Sequence, residues 1–156
     1  MTNLNNICNS KDMYALGRFI GESKASKFPQ VFDCIIQTKL MDSHAAIKFI
    51  DKHRVDDNKS LMWMCRIIIE NPMLVIHFVG MLGEAKERGV LSLDDIDKLM
   101  RACIVSQFPP LLQLVLSMTK GMTKGNRAKL QHREKFLRLM EITVEAGKII
   151  KQLLKE

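Results

Sequence analysis

Apolar side chains recur at intervals of three and four residues along almost the whole chain, and no stretch alternates apolar and polar residues for long. The segment from Ile96 to Cys103, with Leu99 and Met100 between them, is an example. This spacing gives each helix one apolar stripe and does not fit a strand. Because 47% of the 156 residues are apolar, the chain can bury a real core. We therefore predict an all-α fold of about eight helices in two packed lobes.

The predicted organisation follows from two breaks in the helical pattern. Pro72 suits the first turn of a new helix, and Ser92 is a good N-cap because Asp95 follows three residues later. We expect a first helical lobe over residues 1–72, a helix and connecting segment over 73–91, and a second helical lobe over 92–156. The second lobe carries the basic face.

The most apolar region, residues 61–82, is long enough to raise the question of a membrane span. Arg66 and Glu70 would lie inside such a span, and Asn71 and Pro72 would interrupt it. We therefore expect two buried helices here and no transmembrane segment. The polar N-terminal stretch has no signal-peptide pattern.

Other local signals place the remaining helices. Ser10 is expected to cap a helix over about residues 11–22, and the pair Pro109–Pro110 to begin another. The last helix is expected to start near Asn126 and to run to the end of the chain. Gly147 lies on its apolar face, where glycine costs up to ~1 kcal/mol relative to alanine. A close helix contact would explain that glycine.

Positive charge is concentrated in the last quarter of the chain. The net charge of the protein is +7, but residues 1–118 carry 14 Lys/Arg and 13 Asp/Glu, whereas residues 119–156 carry 10 and 4. Seven cations lie within one basic segment against a single acid, Glu134; they are Lys120, Lys124, Arg127, Lys129, Arg133, Lys135 and Arg138. A solvated helix face is the plain alternative, but the asymmetry favours an anionic partner. We expect a broad cationic surface rather than a shaped pocket.

Two neighbours of these cations refine the prediction. His132 gains charge below about pH 6.5 and is therefore a pH-sensitive candidate. Phe136 is the only aromatic residue nearby and fits the apolar face, so no stacking platform for bases is expected. Contact with lipid headgroups or with a nucleic-acid backbone is therefore favoured over sequence-specific reading.

The residue pattern does not indicate catalysis. Asp94, Asp95 and Asp97 cluster at a helix start, where capping explains them better than a metal does. The four cysteines are widely spaced, without a metal or redox motif, and favour free thiols in a reducing compartment. We therefore predict a non-enzymatic protein with no metal, no cofactor and no small-molecule substrate.

Part of the second lobe resembles a viral protein family. Phe108, the pair Leu116–Ser117 and Gly121 have the spacing of a segment in orthomyxovirus matrix proteins. The run from Ile142 to Gly147 is similar to the start of the last helix in their N-terminal domain, and residues 47–54 with Pro72 match the order of elements. The chain would be a distant member, similar to those of thogotoviruses or isaviruses.

This resemblance implies a shell protein of the virion. Such proteins polymerise into a layer beneath the envelope, bind acidic lipid headgroups and contact the ribonucleoprotein or its RNA, and in the host cell they occur in the cytoplasm, at the inner membrane surface and in the nucleus. The basic run of influenza members would fall at Lys98 and Arg101, which are additional basic candidates, and their Cys/His cluster has no counterpart here.

A second resemblance leads to a different function. The run LQHREKFL after a Lys-Gly pair, followed by IIKQLL, is similar to the C-terminal end of the smallest subunit of the Arp2/3 actin-nucleating complex. That resemblance implies a helical interaction subunit of a cellular assembly, without a strong need for a basic face.

Overall fold

The computed structural model describes residues 3–155 and confirms the all-α fold: these residues form α-helices and one short 3₁₀ turn, and no strand occurs among them. The described chain contains eleven α-helices rather than the expected eight: α1 (Leu4–Asn9), α2 (Met13–Glu22), α3 (Phe28–Gln37), α4 (Ser43–His53), α5 (Asn58–Ile69), α6 (Pro72–Val75), α7 (Val79–Glu87), α8 (Leu93–Ser106), α9 (Pro109–Lys120), α10 (Lys124–Ala128) and α11 (Arg133–Lys155). The difference comes from short helices such as α1, α6 and α10, which have too few residues for a sequence period to define them.

The chain divides into two compact units, whose described residues are 3–90 and 91–155. In the first unit α5 is central and packs against α3, α4, α6 and α7. Its inward face includes Leu61, Met64 and Ile68, which are fully buried. Of the segment 73–91, which is predicted to stand apart, residues 73–90 belong to this unit, and α6 and α7 contact α5.

The start of the first unit differs from the prediction. The expected N-cap, Ser10, instead ends α1, and its hydroxyl donates to the carbonyl of Ile7 at 3.0 Å. The N-cap of α2 is Asp12, whose Oδ1 accepts a hydrogen bond from the backbone N–H of Ala15 at 3.0 Å. Both residue types cap well, so only the left-handed turn at Lys11 (φ 58°) decides where one helix stops and the next begins.

The apolar region 61–82 spans parts of three helices, α5, α6 and α7. Pro72 causes the break between α5 and α6, because proline has no N–H to continue the preceding helix. Asn71 precedes it as the N-cap of α6. Among the described helices, none combines the length and hydrophobicity needed to cross a bilayer.

The second unit is built on α8, which packs against α9 and α11. The predicted capping box is confirmed: Ser92 Oγ accepts from the N–H of Asp95 at 3.1 Å, and the Asp95 carboxylate accepts from the N–H of Ser92 at 2.9 Å. The predicted proline start is also confirmed, since α9 begins at Pro109. The core of the unit includes Leu99, Cys103 and Phe136, all fully buried.

Two glycines show where helices approach closely and where they do not. A Cβ atom at Gly147 would have no atom of the described residues within 4 Å, so the expected close contact in α11 does not occur among them. In the first unit, a Cβ at Gly17 of α2 would lie 2.7 Å from Nδ1 of His53, the last residue of α4. The absence of a side chain at Gly17 thus permits the α2–α4 contact.

Candidate anion-binding site

The seven cations of the basic segment lie on three successive helices of the second unit rather than on one. Lys120 is the last residue of α9, Lys124 and Arg127 belong to α10, and Lys129 is the C-cap that follows α10. The other three lie in the first two turns of α11; they are Arg133, Lys135 and Arg138. The expectation of a single last helix starting near Asn126 is therefore wrong, since residues 129–132 separate α10 from α11.

Local contacts explain the break between α10 and α11. Leu130 is buried in the turn. Asp97 of α8 then holds the next residues in place: its Oδ1 accepts from the N–H of His132 at 2.9 Å, and its Oδ2 lies 3.1 Å from Nδ1 of the same histidine. Since the N–H groups at a helix start have no partner within the helix, a carboxylate from another helix stabilises this start.

Three of the cations surround one cavity. Lys120, Arg127 and Arg133 line a cavity of about 260 Å³ whose apolar wall is formed by side chains from α8, α9 and α11: Met100, Leu116, Phe136 and Leu137. Thr119 completes the lining. Cations beside an apolar wall interact more strongly with an anion than cations in open water do, because the effective dielectric constant is lower. In addition to the broad cationic surface that is expected, three of the seven residues thus share one cavity.

Arg127 connects two of the helices that line this cavity. Its Nη2 donates to the carbonyl oxygen of Lys120 at 3.4 Å, whereas its Nε is buried and has no hydrogen-bond partner among the described residues. A buried donor without an acceptor costs about 1–3 kcal/mol, and more when the group is charged. Arg127 also lines the cavity, and guanidinium groups match phosphate and carboxylate geometry well.

The other four cations do not line the cavity. Lys124, Lys129 and Lys135 are exposed and add positive potential to the second unit without lining this cavity. Arg138 is also exposed, and its Nη2 forms an ion pair with Glu134 at 2.6 Å. Such an exposed pair contributes little to stability, but it partly neutralises the charge that Arg138 was expected to offer.

The additional basic candidates lie on α8 and also outside the cavity lining. Lys98 pairs with Asp94 at 3.4 Å across one helical turn, while Arg101 is exposed. His132, the pH-sensitive candidate, is half-buried beside Asp97 rather than in the cavity. It directly precedes Arg133, and its contacts with Asp97 lie at the start of α11.

The contact of Asp97 with His132 is not predicted from the sequence. The capping box of α8 uses Ser92 and Asp95, so Asp97 is not needed to cap its own helix. That unused carboxylate is the only hint of another partner, and His132 lies 35 residues away in the chain, where no local pattern points to it.

Two other titratable groups, Cys103 and Asp57, lie outside the lining of this cavity. Burial raises the pKa of the Cys103 thiol to about 12, which leaves it uncharged and unreactive. In the first unit a cavity of about 570 Å³ includes Lys24, Asp57 and Lys59. The backbone N–H of Ser60 holds the pKa of Asp57 below its usual value, because this carboxylate caps α5. Among residues 3–155 no group of three or more His, Cys, Asp and Glu residues could hold a metal ion.

Comparison with known proteins yields no match: no family model, no curated protein and no solved structure matches the chain. The geometry of the second unit therefore carries the functional argument.

Proposed function

We propose that the protein is a matrix-type structural protein that binds acidic phospholipid headgroups through the basic segment and self-associates into a layer. By the resemblance to orthomyxovirus matrix proteins, the layer would lie beneath a viral envelope and contact the ribonucleoprotein. The proposal assigns no reaction to the protein.

The observation that carries the proposal is the cavity lined by Lys120, Arg127 and Arg133. Three Lys and Arg residues line it, and no carboxylate residue is among the described residues that do. A phosphate group would bring several acceptor oxygens to these donors. The apolar wall of the cavity favours an anion attached to an apolar body, as in a phospholipid, over a fully hydrated ion.

The charge balance of the two units supports the same partner. Residues 91–155 contain 12 Lys/Arg and 6 Asp/Glu, a net charge of +6, whereas residues 3–90 contain 12 and 10, a net charge of +2. Acidic bilayers attract Lys and Arg near their surface with about 1 kcal/mol per residue. The second unit therefore has the stronger attraction to such a bilayer.

Co-sedimentation with vesicles tests the proposal. The wild type should bind phosphatidylserine-containing vesicles, bind neutral vesicles weakly, and release the acidic ones as salt rises, because salt screens the attraction. The triple change Lys120→Gln, Arg127→Gln and Arg133→Gln should weaken binding about 100-fold, since three contributions of about 1 kcal/mol are lost. Its thermal unfolding should stay close to that of the wild type.

A matched control removes the same amount of charge elsewhere. Lys27, Lys48 and Lys52 are exposed lysines of the first unit, and their replacement by glutamine should change binding only a few-fold through net charge. Equal loss in the two triple variants, or equal binding of the wild type to neutral vesicles, would contradict the proposal. Tight binding to RNA without binding to acidic vesicles would show that the anionic partner is a nucleic-acid backbone and not a lipid headgroup.

The alternative function is that of a helical interaction subunit in a cellular assembly such as the actin-nucleating complex. The exposed apolar side chains at the end of α11 favour it. Affinity purification from cells would then recover a defined assembly of several subunits, and the purified protein would ignore acidic vesicles and RNA.

A further inference from the structure

The end of α11 presents an apolar stripe with no partner among the described residues. From residue 141 to residue 155 every side chain is exposed, and only Gly147 is half-buried. Large apolar residues remain 52–81% exposed in this stretch: Ile142, Val144, Ile149, Ile150, Leu153 and Leu154. So much exposed apolar surface on one helix marks an interaction surface.

The spacing of these residues defines how a partner would fit. Leu139, Ile142, Ala146, Ile149 and Leu153 follow one another at intervals of three, four, three and four residues. This is the a/d pattern of a coiled coil, and we call these five residues the seam. A shallow groove of about 440 Å³ runs beside the seam and is bordered by Glu141 and Glu145. Such a groove is suited to a side chain inserted from a facing helix.

The charges along α11 identify the partner helix. Residues 141–147 carry two acids, Glu141 and Glu145, and no base, whereas residues 148–155 carry three lysines and no acid. An antiparallel copy of the same helix lays each acidic half against the basic half of its partner, and it also opposes the two helix dipoles. A parallel copy would place like charges together.

We propose that α11 is a self-association surface and that the seams of two copies pair antiparallel. In the central register Ile142 faces Leu153 of the second copy, and Ala146 faces Ile149. The pairing rests on the proposed function in one respect, since a layer-forming protein needs a contact between copies. Its evidence, however, is separate from that for the basic segment.

Sedimentation equilibrium or light scattering over roughly a hundred-fold range of protein concentration tests the pairing, because mass action makes the dimer fraction rise with concentration. The change Ile149→Gln with Leu153→Gln should weaken association at least roughly 10,000-fold, since each dimer loses four buried apolar side chains. A matched control, Val144→Gln with Leu154→Gln, removes two exposed apolar residues outside the seam and should associate like the wild type. Circular dichroism checks that the helices persist in both.

Cysteine crosslinking tests the orientation. All four native cysteines are buried. Mild oxidation of a mixture of Ile142→Cys and Leu153→Cys variants should therefore yield the mixed 142–153 disulfide. A predominance of the 142–142 disulfide would show parallel pairing and overturn the proposed geometry.

Two results would overturn the pairing itself. One is a wild type that stays monomeric over the whole concentration range. The other is a seam variant that associates as well as the control variant while losing its binding to vesicles, which would make a bilayer the occupant of the seam. Failure of the proposed function can be told apart from failure of the pairing. If only the proposed function fails, the Lys120/Arg127/Arg133 triple variant binds vesicles like the wild type, while association between copies still depends on the seam.

Discussion

Helices α5 and α11 are both amphipathic, yet they differ in what covers their apolar faces. Helix α5 has 12 residues, seven of which are buried, because four neighbouring helices of the first unit pack around it. Helix α11 has 23 residues, of which only Phe136 is buried, because α8 covers its first turns and no described residue covers the rest. An apolar stripe therefore shows that a helix has something to bury, but not that the same chain buries it.

The largest expected effect comes from the same substitution made on both helices. Ile68 of α5 is fully buried and Ile150 of α11 is 56% exposed. Ile68→Ala should lower the free energy of unfolding by about 2–5 kcal/mol, because it leaves a cavity. Ile150→Ala should change it by less than about 0.5 kcal/mol.

Urea unfolding measures both changes, with Trp63 fluorescence reporting on α5 and far-UV circular dichroism reporting on all helices. The protein concentration is kept low so that self-association does not contribute. A large loss for Ile150→Ala under these conditions would show that the end of α11 is covered within a single chain, and the comparison would fail.

A smaller effect is expected where α2 meets α4. A Cβ at Gly17 would lie 2.7 Å from the His53 ring, and that ring is itself held 4.4 Å from the ring of Phe49, centroid to centroid. Gly17→Ala should therefore cost about 1–3 kcal/mol through overpacking. Gly80→Ala in α7 is the matched control, because its Cβ would have no atom within 4 Å. Equal thermal stability of the two variants would show that His53 moves aside freely.

The smallest effect has the opposite sign. Gly147 lies inside α11 but outside the seam, with open space where its Cβ would be. Gly147→Ala should stabilise the helix by about 0.5–1 kcal/mol, because alanine loses less backbone entropy. Far-UV circular dichroism during thermal unfolding measures the gain. Destabilisation would mean that another surface approaches this face closely.

Local patterns in the sequence were sufficient for part of this structure. The all-α fold, the capping box at Ser92 and the start of α9 at Pro109 all depend on residues within one or two helical turns. The concentration of positive charge near the end of the chain is likewise a property of the sequence. These features depend on short-range sterics and hydrogen bonds, which neighbouring residues decide.

Tertiary contacts decided the rest. The break between α10 and α11 depends on Asp97, a residue far away in the sequence, and this break is what brings Arg127 and Arg133 to the same cavity as Lys120. The helical spacing of apolar residues in α11 likewise does not determine whether another helix contacts Gly147 or whether other residues bury the end of α11. The sequence by itself determined which helices are amphipathic and where the cations are, whereas packing determined which faces are buried and which cations converge, since these depend on partners that no local pattern specifies.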